Sequence, residues 1–181
     1  AVLIAEYSYD YAVTTCTTDP KTGARSCHTT YHYVRNNIIA ININPDGSIK
    51  WYANIPKYQH TINDGGIYNS YMMTTKGSNM CFVYNENPKN LDPAKVKTAK
   101  DMYTMSNPHK STAVLVQLSE NGEFTKKALF SNKENKMTIE PASAVRISQN
   151  EQIVTALNSG IYCCMIPFKA GKSKLARFEF K

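Results

Sequence analysis

The sequence predicts an all-β fold built from antiparallel strands, and three observations support this prediction. In the segment Ile38–Lys57 apolar and polar residues alternate on both sides of a turn, which is typical of two strands with one buried face. The same pattern returns 75 residues further along the chain. The composition, with 12 tyrosines and no long tract rich in alanine, leucine, glutamate and lysine, favours strands over helices.

The first hairpin has its turn at Asn44-Pro45-Asp46-Gly47. Proline sets the first turn angle, and glycine takes the left-handed position that follows a type I turn. Apolar residues occupy the odd positions of both strands, so we expect the odd side chains to form the buried face. The residues at these positions are Ile39, Ile41, Ile43, Ile49, Trp51, Ala53 and Ile55. The single tryptophan is therefore expected in the core.

A second copy of this hairpin follows. A shift of 75 residues places the first strand on Val114–Leu118 and the turn on Ser119–Gly122, with the glycine retained. The second strand maps onto Phe124–Phe130, where Lys126 takes the position of Trp51. Agreement over two strands and a turn indicates an internal repeat.

The repeat predicts one β-rich domain over residues 1–181. Its parts are a first four-stranded unit (37–86), an insertion (87–111), a second unit (112–158) and terminal hairpins at 1–36 and 159–181, which could pair with each other to complete a third sheet. Two architectures stay open. Either the units are blades of a longer propeller, since three blades are too few to close one, or the chain folds as a sandwich or irregular barrel.

The insertion interrupts the strand pattern. Aspartate caps helix N-termini and proline fits the first helical turn, so Asp92-Pro93 predicts a short helix over Pro93–Tyr103. The insertion is either a lid or binding loop, or a solvated excursion.

The N-terminal ribbon, Val2–Thr18 with Ser26–Asn36, brings two cysteines face to face. A disulfide between Cys16 and Cys27 would suit an oxidising compartment, and two reduced thiols are the alternative. Cys163 and Cys164 point to opposite faces of a predicted strand, and one of them is a candidate neighbour of Cys81.

The same register places several rings on one face of the ribbon. Tyr7, Tyr9 and Tyr11 would share it with His32 and Val34. Tyrosine at such a place packs its ring body and keeps its hydroxyl wet. The rings either pack against one another or form an aromatic platform for a sugar or a peptide.

No motif predicts a reaction, a metal or a cofactor. His28 and His32 are four apart on a strand, about 13 Å from each other, and His60 and His109 are expected in loops. Glu6 and Asp10 are similarly too far apart for a carboxylate dyad. The formal charge of +7 is scattered, so no nucleic-acid partner is predicted. No apolar run approaches the length of a transmembrane helix, and any export signal is expected to have been removed or to lie upstream of Ala1.

Polar and aromatic side chains around the exits of the first unit's strands are the candidate ligand-binding groups, because loop-borne binding residues often lie there. The alternative is that they cap turns and strand ends. They are Trp51, Lys57, Gln59, Ser70, Tyr71, Asn85, Glu86 and Asn90.

The segment from Asp46 to Asn90 carries the pattern DGxIxW…IPKxQ…SY…YNxN. It resembles a group of poorly characterised exported proteins of Bacteroidetes-type bacteria, which carry this pattern in β-rich, propeller-like repeats. The resemblance implies a periplasmic, surface-attached or secreted protein and brings no activity with it. The second copy lacks the tryptophan and the IPKxQ sequence, so the pattern marks at most one site.

These observations predict a non-catalytic binding or scaffold module outside the cytoplasm, with a protein or carbohydrate ligand or other parts of a larger assembly as partner. The alternative is a fragment of a glycan-active enzyme whose catalytic residues lie partly outside this chain. A buried, paired carboxylate in a deep pocket would favour the enzyme, and a shallow aromatic face would favour binding.

Overall fold

The computed structural model describes residues 1–148, 150–157 and 173–180, and these residues are mostly antiparallel β-strand, as the sequence predicts. The strands are β1 (Val2–Thr18), β2 (Arg25–Ile43), β3 (Ile49–Ile62), β4 (Met72–Lys76), β5 (Asn79–Glu86), β6 (Thr112–Leu118), β7 (Phe124–Ser131), β8 (Thr138–Ile139), β9 (Val145–Ser148), β10 (Glu151–Leu157) and β11 (Ser173–Glu179). One α-helical turn, α1 (Asn132–Asn135), follows β7.

The strands form three sheets, ordered β1-β2-β3, β4-β5-β6-β7 and β11-β10-β8, with β9 also paired to β10. The predicted unit 37–86 is therefore not one sheet. Its first two strands join β1, whereas its last two join the second hairpin. The reason is that β2 runs unbroken over 19 residues, so the N-terminal ribbon and the first hairpin share one strand.

The three sheets stack face to face, with β4–β7 in the middle. One core cluster joins Ile38 and Ile55 of the first sheet to Phe82 and Val116 of the middle sheet. A second cluster joins the opposite face of the middle sheet, including Val83, to the third sheet. Because the middle sheet is covered on both faces, β5 is buried along nearly its whole length. No sheet of the described residues closes into a barrel.

The two hairpins of the repeat have the same turn. Gly47 and Gly122 both have φ of 84°, and in both turns the glycine N–H donates to the carbonyl three residues earlier. The two copies of the repeat therefore share the backbone geometry of the hairpin turn.

The predicted buried face is correct for Ala53 and Ile55 of β3, wrong for Ile49, which is 65% exposed, and wrong on β2. Ala53 and Ile55 are buried, but their neighbours across the sheet are Ala40 and Ile38, at even positions. A bulge beside Asn42 shifts the register by one residue, which reverses the face that each β2 side chain occupies.

The insertion contains no α-helix, which corrects the helix predicted over Pro93–Tyr103. It has short 3₁₀ turns at Pro88–Leu91, Ala99–Asp101 and Pro108–Lys110 instead. Asparagine side chains explain the difference: Asn87 donates to the Thr104 carbonyl, and Asn90 both donates to the Tyr103 carbonyl and accepts from its N–H. Such side-chain bonds compete with helical ones.

The N-terminal ribbon has the predicted register. Cys16 lies opposite Cys27 and forms a disulfide with it, and Tyr11 lies opposite His32. The pairing of the two ends of the chain that the sequence leaves open does not occur for Ser173–Glu179, which pairs with β10. The predicted strand Ile161–Phe168, with Cys163 and Cys164, lies outside the described residues.

Within the described ranges, no helix has the length and apolar character needed to cross a membrane.

Cys81 provides a direct check of this packing. Its thiol is buried between the middle and third sheets, and burial raises its pKa, so little reactive thiolate forms. We expect iodoacetamide to leave the Cys81 peptide unmodified in the folded protein and to label it fully in denaturant, as read by peptide mass spectrometry. Rapid labelling of the folded protein would contradict this packing.

Candidate functional site

Most of the predicted ligand-binding residues meet in one polar network between the first and middle sheets. Its first centre is the ion pair between the Lys57 ammonium and the Glu6 carboxylate, with Nζ 2.6 Å from Oε1. The Lys57 side chain is fully buried and that of Glu6 is 12% exposed. Nζ also donates to Gln59 Oε1 at 2.8 Å and to the Arg35 carbonyl at 2.9 Å. Burial lowers the pKa of Lys57 to about 8, against the opposing effect of the Glu6 charge.

The second centre is the ion pair between Glu86 and Lys126. The Lys126 ammonium lies 2.9 Å from Glu86 Oε2 and also donates to the Pro56 carbonyl. The other carboxylate oxygen accepts from the Asn87 N–H and the Asn90 side chain. Every oxygen of this buried carboxylate therefore has a partner, as burial of a charge requires.

The ring of Tyr84 links the two centres. The ammonium groups of Lys57 and Lys126 lie 5.8 Å and 5.5 Å from its centroid, within the range of a cation–π contact. Burial raises the pKa of the Tyr84 hydroxyl well above its ordinary value, so the phenol is neutral and its ring is available to both cations.

Gln59 connects this network across the sheets. Its Nε2 donates to the Asn85 carbonyl at 2.8 Å, and its Oε1 accepts from the Ser70 N–H at 2.7 Å. Ser70 Oγ in turn donates to the second oxygen of Glu6. The Asn85 side chain points the other way, donating to the Tyr68 and Ile139 carbonyls.

Two predicted residues lie outside the hydrogen-bonded network. Tyr71 packs edge-on against Phe82, with ring centroids 5.4 Å apart, and burial raises the pKa of its hydroxyl, with a smaller effect of the Glu6 charge. Trp51 is only partly buried. Its Nε1 donates to the Glu120 carbonyl at 2.7 Å, and its ring covers Gly122 in the turn of the second hairpin.

A shallow groove lies beside the network, between the insertion and β7. It consists of two depressions of about 270 and 410 Å³ that share Asn90, Val96 and Lys126. Neither depression is lined by Glu6 or Glu86. The arrangement of the network is that of a polar core joining two sheets.

A second candidate surface lies on the outer face of the first sheet. We call it the ring face, and it consists of Tyr7, Tyr9, Tyr11, His32 and His60. Consecutive ring centroids along this row are 5.6, 6.0, 4.5 and 5.1 Å apart. Tyr7 meets Tyr9 edge-on, whereas Tyr9, Tyr11 and His32 are stacked. The three tyrosines are 62%, 45% and 41% exposed, so the row is continuous and yet open to solvent.

His60 lies in β3 and not in a loop, which corrects the expectation for this residue. Its Nε2 is 2.9 Å from His32 Nδ1. Burial, and to a smaller degree the neighbouring His32, lowers the pKa of His60. His109 is separate from this pair and contacts Thr138 Oγ1 at 3.0 Å.

Sequence reasoning missed two residues of these sites, Lys126 and Glu6, and one contact, that between His32 and His60. Lys126 occupies a core-facing position of the repeat, which was a sign that its charge has a buried partner. Glu6 is brought to Lys57 by a β1 bulge between Glu6 and Ser8, which periodicity does not reveal. The contact between His32 and His60 depends on the register of β2 with β3.

Comparisons of the chain with protein-family models, with curated proteins and with solved structures gave no match. The resemblance to exported repeat proteins of Bacteroidetes-type bacteria therefore stays a prediction.

Proposed function

We propose that this chain is a non-catalytic module that works outside the cytoplasm and binds a protein partner through the ring face. The observation that carries the proposal is the solvent-exposed row of contacting rings on β1, β2 and β3.

Tyrosine is enriched in protein interfaces because its ring buries apolar area while its hydroxyl stays hydrogen-bonded. The ring face is extended by Val13, 42% exposed, and Ile62, 48% exposed, which lie on the same side of the sheet. A continuous exposed apolar and aromatic patch is typical of an interaction site.

The orientation of the rings favours a protein over a glycan. Tyr9 lies at 20° to Tyr11, and Tyr11 at 6° to His32, so these rings use their faces on one another. A sugar would pack its C–H groups on a free ring face, where the π electrons lie. Tyr9 and Tyr11 therefore offer a partner mainly ring edges and hydroxyl groups.

The location outside the cytoplasm is supported by the Cys16–Cys27 disulfide at the ribbon tip, because disulfides persist in oxidising compartments. The stacking of antiparallel sheets of three and four strands also resembles the packing of neighbouring propeller blades, in line with a role as part of a larger assembly.

The glycan-active alternative has less support. Glu6 and Glu86, the carboxylates of the polar network, are each paired with a lysine and hydrogen-bonded. A carboxylate held in this way has no free position for a substrate.

The experiment is selection of ligands with the full chain. A displayed library of protein fragments from the genome that encodes this chain is screened in parallel with a glycan array. The test variant is Tyr9→Ser with Tyr11→Ser, and the matched control is Tyr31→Ser. Tyr31 is 54% exposed on the same ribbon but on the opposite face of β2.

We expect selected protein fragments to lose at least tenfold in affinity for the double variant and to keep their affinity for the control. Fragments that bind both variants equally would overturn the proposal. A glycan that binds with the same dependence on Tyr9 and Tyr11 would overturn the assignment of a protein ligand.

A further inference from the structure

We propose that His32 and His60 form a binding site for a divalent transition metal with tetragonal preference, Cu²⁺ or Ni²⁺, on the ring face. The carrying observation is that two imidazole nitrogens from neighbouring strands, His32 Nδ1 and His60 Nε2, face each other at 2.9 Å. Both rings are partly exposed, so an ion can reach them from solvent.

A chain of hydrogen bonds sets the tautomer of His32. Thr30 Oγ1 donates to the Val13 carbonyl and lies 3.1 Å from His32 Nε2. Because the hydroxyl hydrogen is used on the carbonyl, Oγ1 accepts from the Nε2–H of His32. The lone pair of His32 is then on Nδ1, which faces His60. Such an outer partner orients a metal-binding histidine and raises its basicity.

The spacing of the two nitrogens is compatible with a right-angled pair of ligands, and among the divalent first-row metals Cu²⁺ binds nitrogen ligands most tightly. With metal–nitrogen bonds of about 2.05 Å, a separation of 2.9 Å corresponds to an angle of about 90° at the metal. A tetrahedral ion such as Zn²⁺ would need about 3.3 Å between the nitrogens. Neighbouring ligands at right angles are those of square-planar and tetragonal Cu²⁺ or Ni²⁺ sites.

Binding requires the other tautomer of His60. The hydrogen now carried on His60 Nε2 exchanges through solvent to Nδ1 of the same ring, with no net release of a proton, and each ring turns so that its lone pair meets the ion. Water completes the coordination on the open side. Tyr11 stacks on His32 with centroids 4.5 Å apart, so it limits the tilt of that ring and lies within quenching distance of a bound Cu²⁺.

The test uses untagged full-length protein titrated with CuCl₂ in a buffer that does not chelate copper. Calorimetry gives stoichiometry and affinity, and electron paramagnetic resonance counts equatorial nitrogens. The chain has 12 tyrosines, so proximity to Tyr11 is read from the difference in fluorescence quenching between wild type and Tyr11→Phe. The variants are His32→Gln and His60→Gln. The chain has four histidines, so His28→Gln and His109→Gln serve as matched controls.

We expect one Cu²⁺ per chain with two equatorial imidazole nitrogens, quenching of tyrosine fluorescence, and at least a tenfold loss of affinity in each test variant but not in the controls. Ni²⁺ should bind the wild-type protein more tightly than Zn²⁺ does. If His32→Gln fails to fold, His60→Gln carries the same expectation. Equal affinity in wild type and His60→Gln, or an equal loss in His28→Gln, would overturn the proposal.

Discussion

Replacing Glu6 by glutamine is expected to lower the free energy of unfolding by about 3 kcal/mol near neutral pH, because removal of one partner leaves a buried charge without a counter-ion. The Lys57 ammonium is fully buried and lies 2.6 Å from the Glu6 carboxylate. Glutamine keeps the shape of the side chain and an acceptor for Ser70, so the lost stability comes from removal of the negative charge alone. Urea unfolding of wild type and variant measures this loss of stability.

The loss of stability in Glu6→Gln should depend on pH. Burial lowers the pKa of Lys57 in the folded protein from 10.5 to about 8. Between these values the unfolded chain holds a proton that the folded protein has released, so wild-type stability contributed by this group rises with pH across that window. Without the Glu6 charge the folded pKa falls further, and the rise begins at lower pH. The difference between variant and wild type is therefore largest below the folded pKa of Lys57 in the variant, becomes smaller as the pH rises to about 8, and stays constant above that pH.

The matched control is Asp10→Asn on the same strand. Asp10 pairs with Arg35, but its side chain is 49% exposed, and exposed pairs contribute at most about 1 kcal/mol. Adding Lys57→Met to Glu6→Gln should restore much of the lost stability, since no buried ammonium remains. Equal losses for Glu6→Gln and Asp10→Asn would contradict the buried ion pair.

Replacing Gly122 by alanine is expected to destabilise the protein by about 3 kcal/mol, for two reasons. Gly122 has φ of +84°, which L-residues avoid, and a Cβ there would lie 2.9 Å from Cδ2 of Trp51. The backbone strain alone costs about 1–2 kcal/mol, and forcing an atom into a packed contact adds about 1–3 kcal/mol. Thermal or urea unfolding gives the total.

Gly47 provides the matched control because the repeat gives it the same turn. It also has φ of +84°, but a Cβ there meets nothing within 4 Å. Gly47→Ala should therefore lose only the stability that the backbone strain costs. In a Trp51→Leu background, Gly122→Ala should lose no more stability than Gly47→Ala does. If both alanine variants lose the same stability in the presence of Trp51, the contact between the two hairpins is not as described.

The sequence predicted local features well because each depends on neighbours in the chain. The turn chemistry of Gly47 and Gly122 and the Cys16–Cys27 register follow from short-range patterns, and the structure agrees. The assignment of strands to sheets could not be predicted in this way. It depends on β2 remaining one strand and on a bulge near Asn42. Packing between the sheets, and not the local sequence, determines whether these two features are more stable than their alternatives.

The candidate site was predicted in part for a related reason. Lys57, Gln59 and Glu86 were identified by their positions at strand exits, and the structure does bring them together. Their partners Glu6 and Lys126 come from strands distant in sequence, so no local pattern indicates that these charges neutralise one another in the interior. Because these partners neutralise the charges of Lys57 and Glu86, the network is a polar core, and the ring face is the candidate surface that stays open to solvent.

The binding role of the ring face is tested most directly by site-specific photo-crosslinking with p-benzoylphenylalanine in the cells that produce the protein. The label is placed at Tyr9 on the ring face, at Tyr31 on the opposite face of the ribbon, and at Lys97 beside the groove under the insertion. We expect an adduct of one defined mass from Tyr9, and none from Tyr31 or Lys97. An adduct from Lys97 with none from Tyr9 would overturn the binding role of the ring face and assign the binding site to the groove beside the polar network.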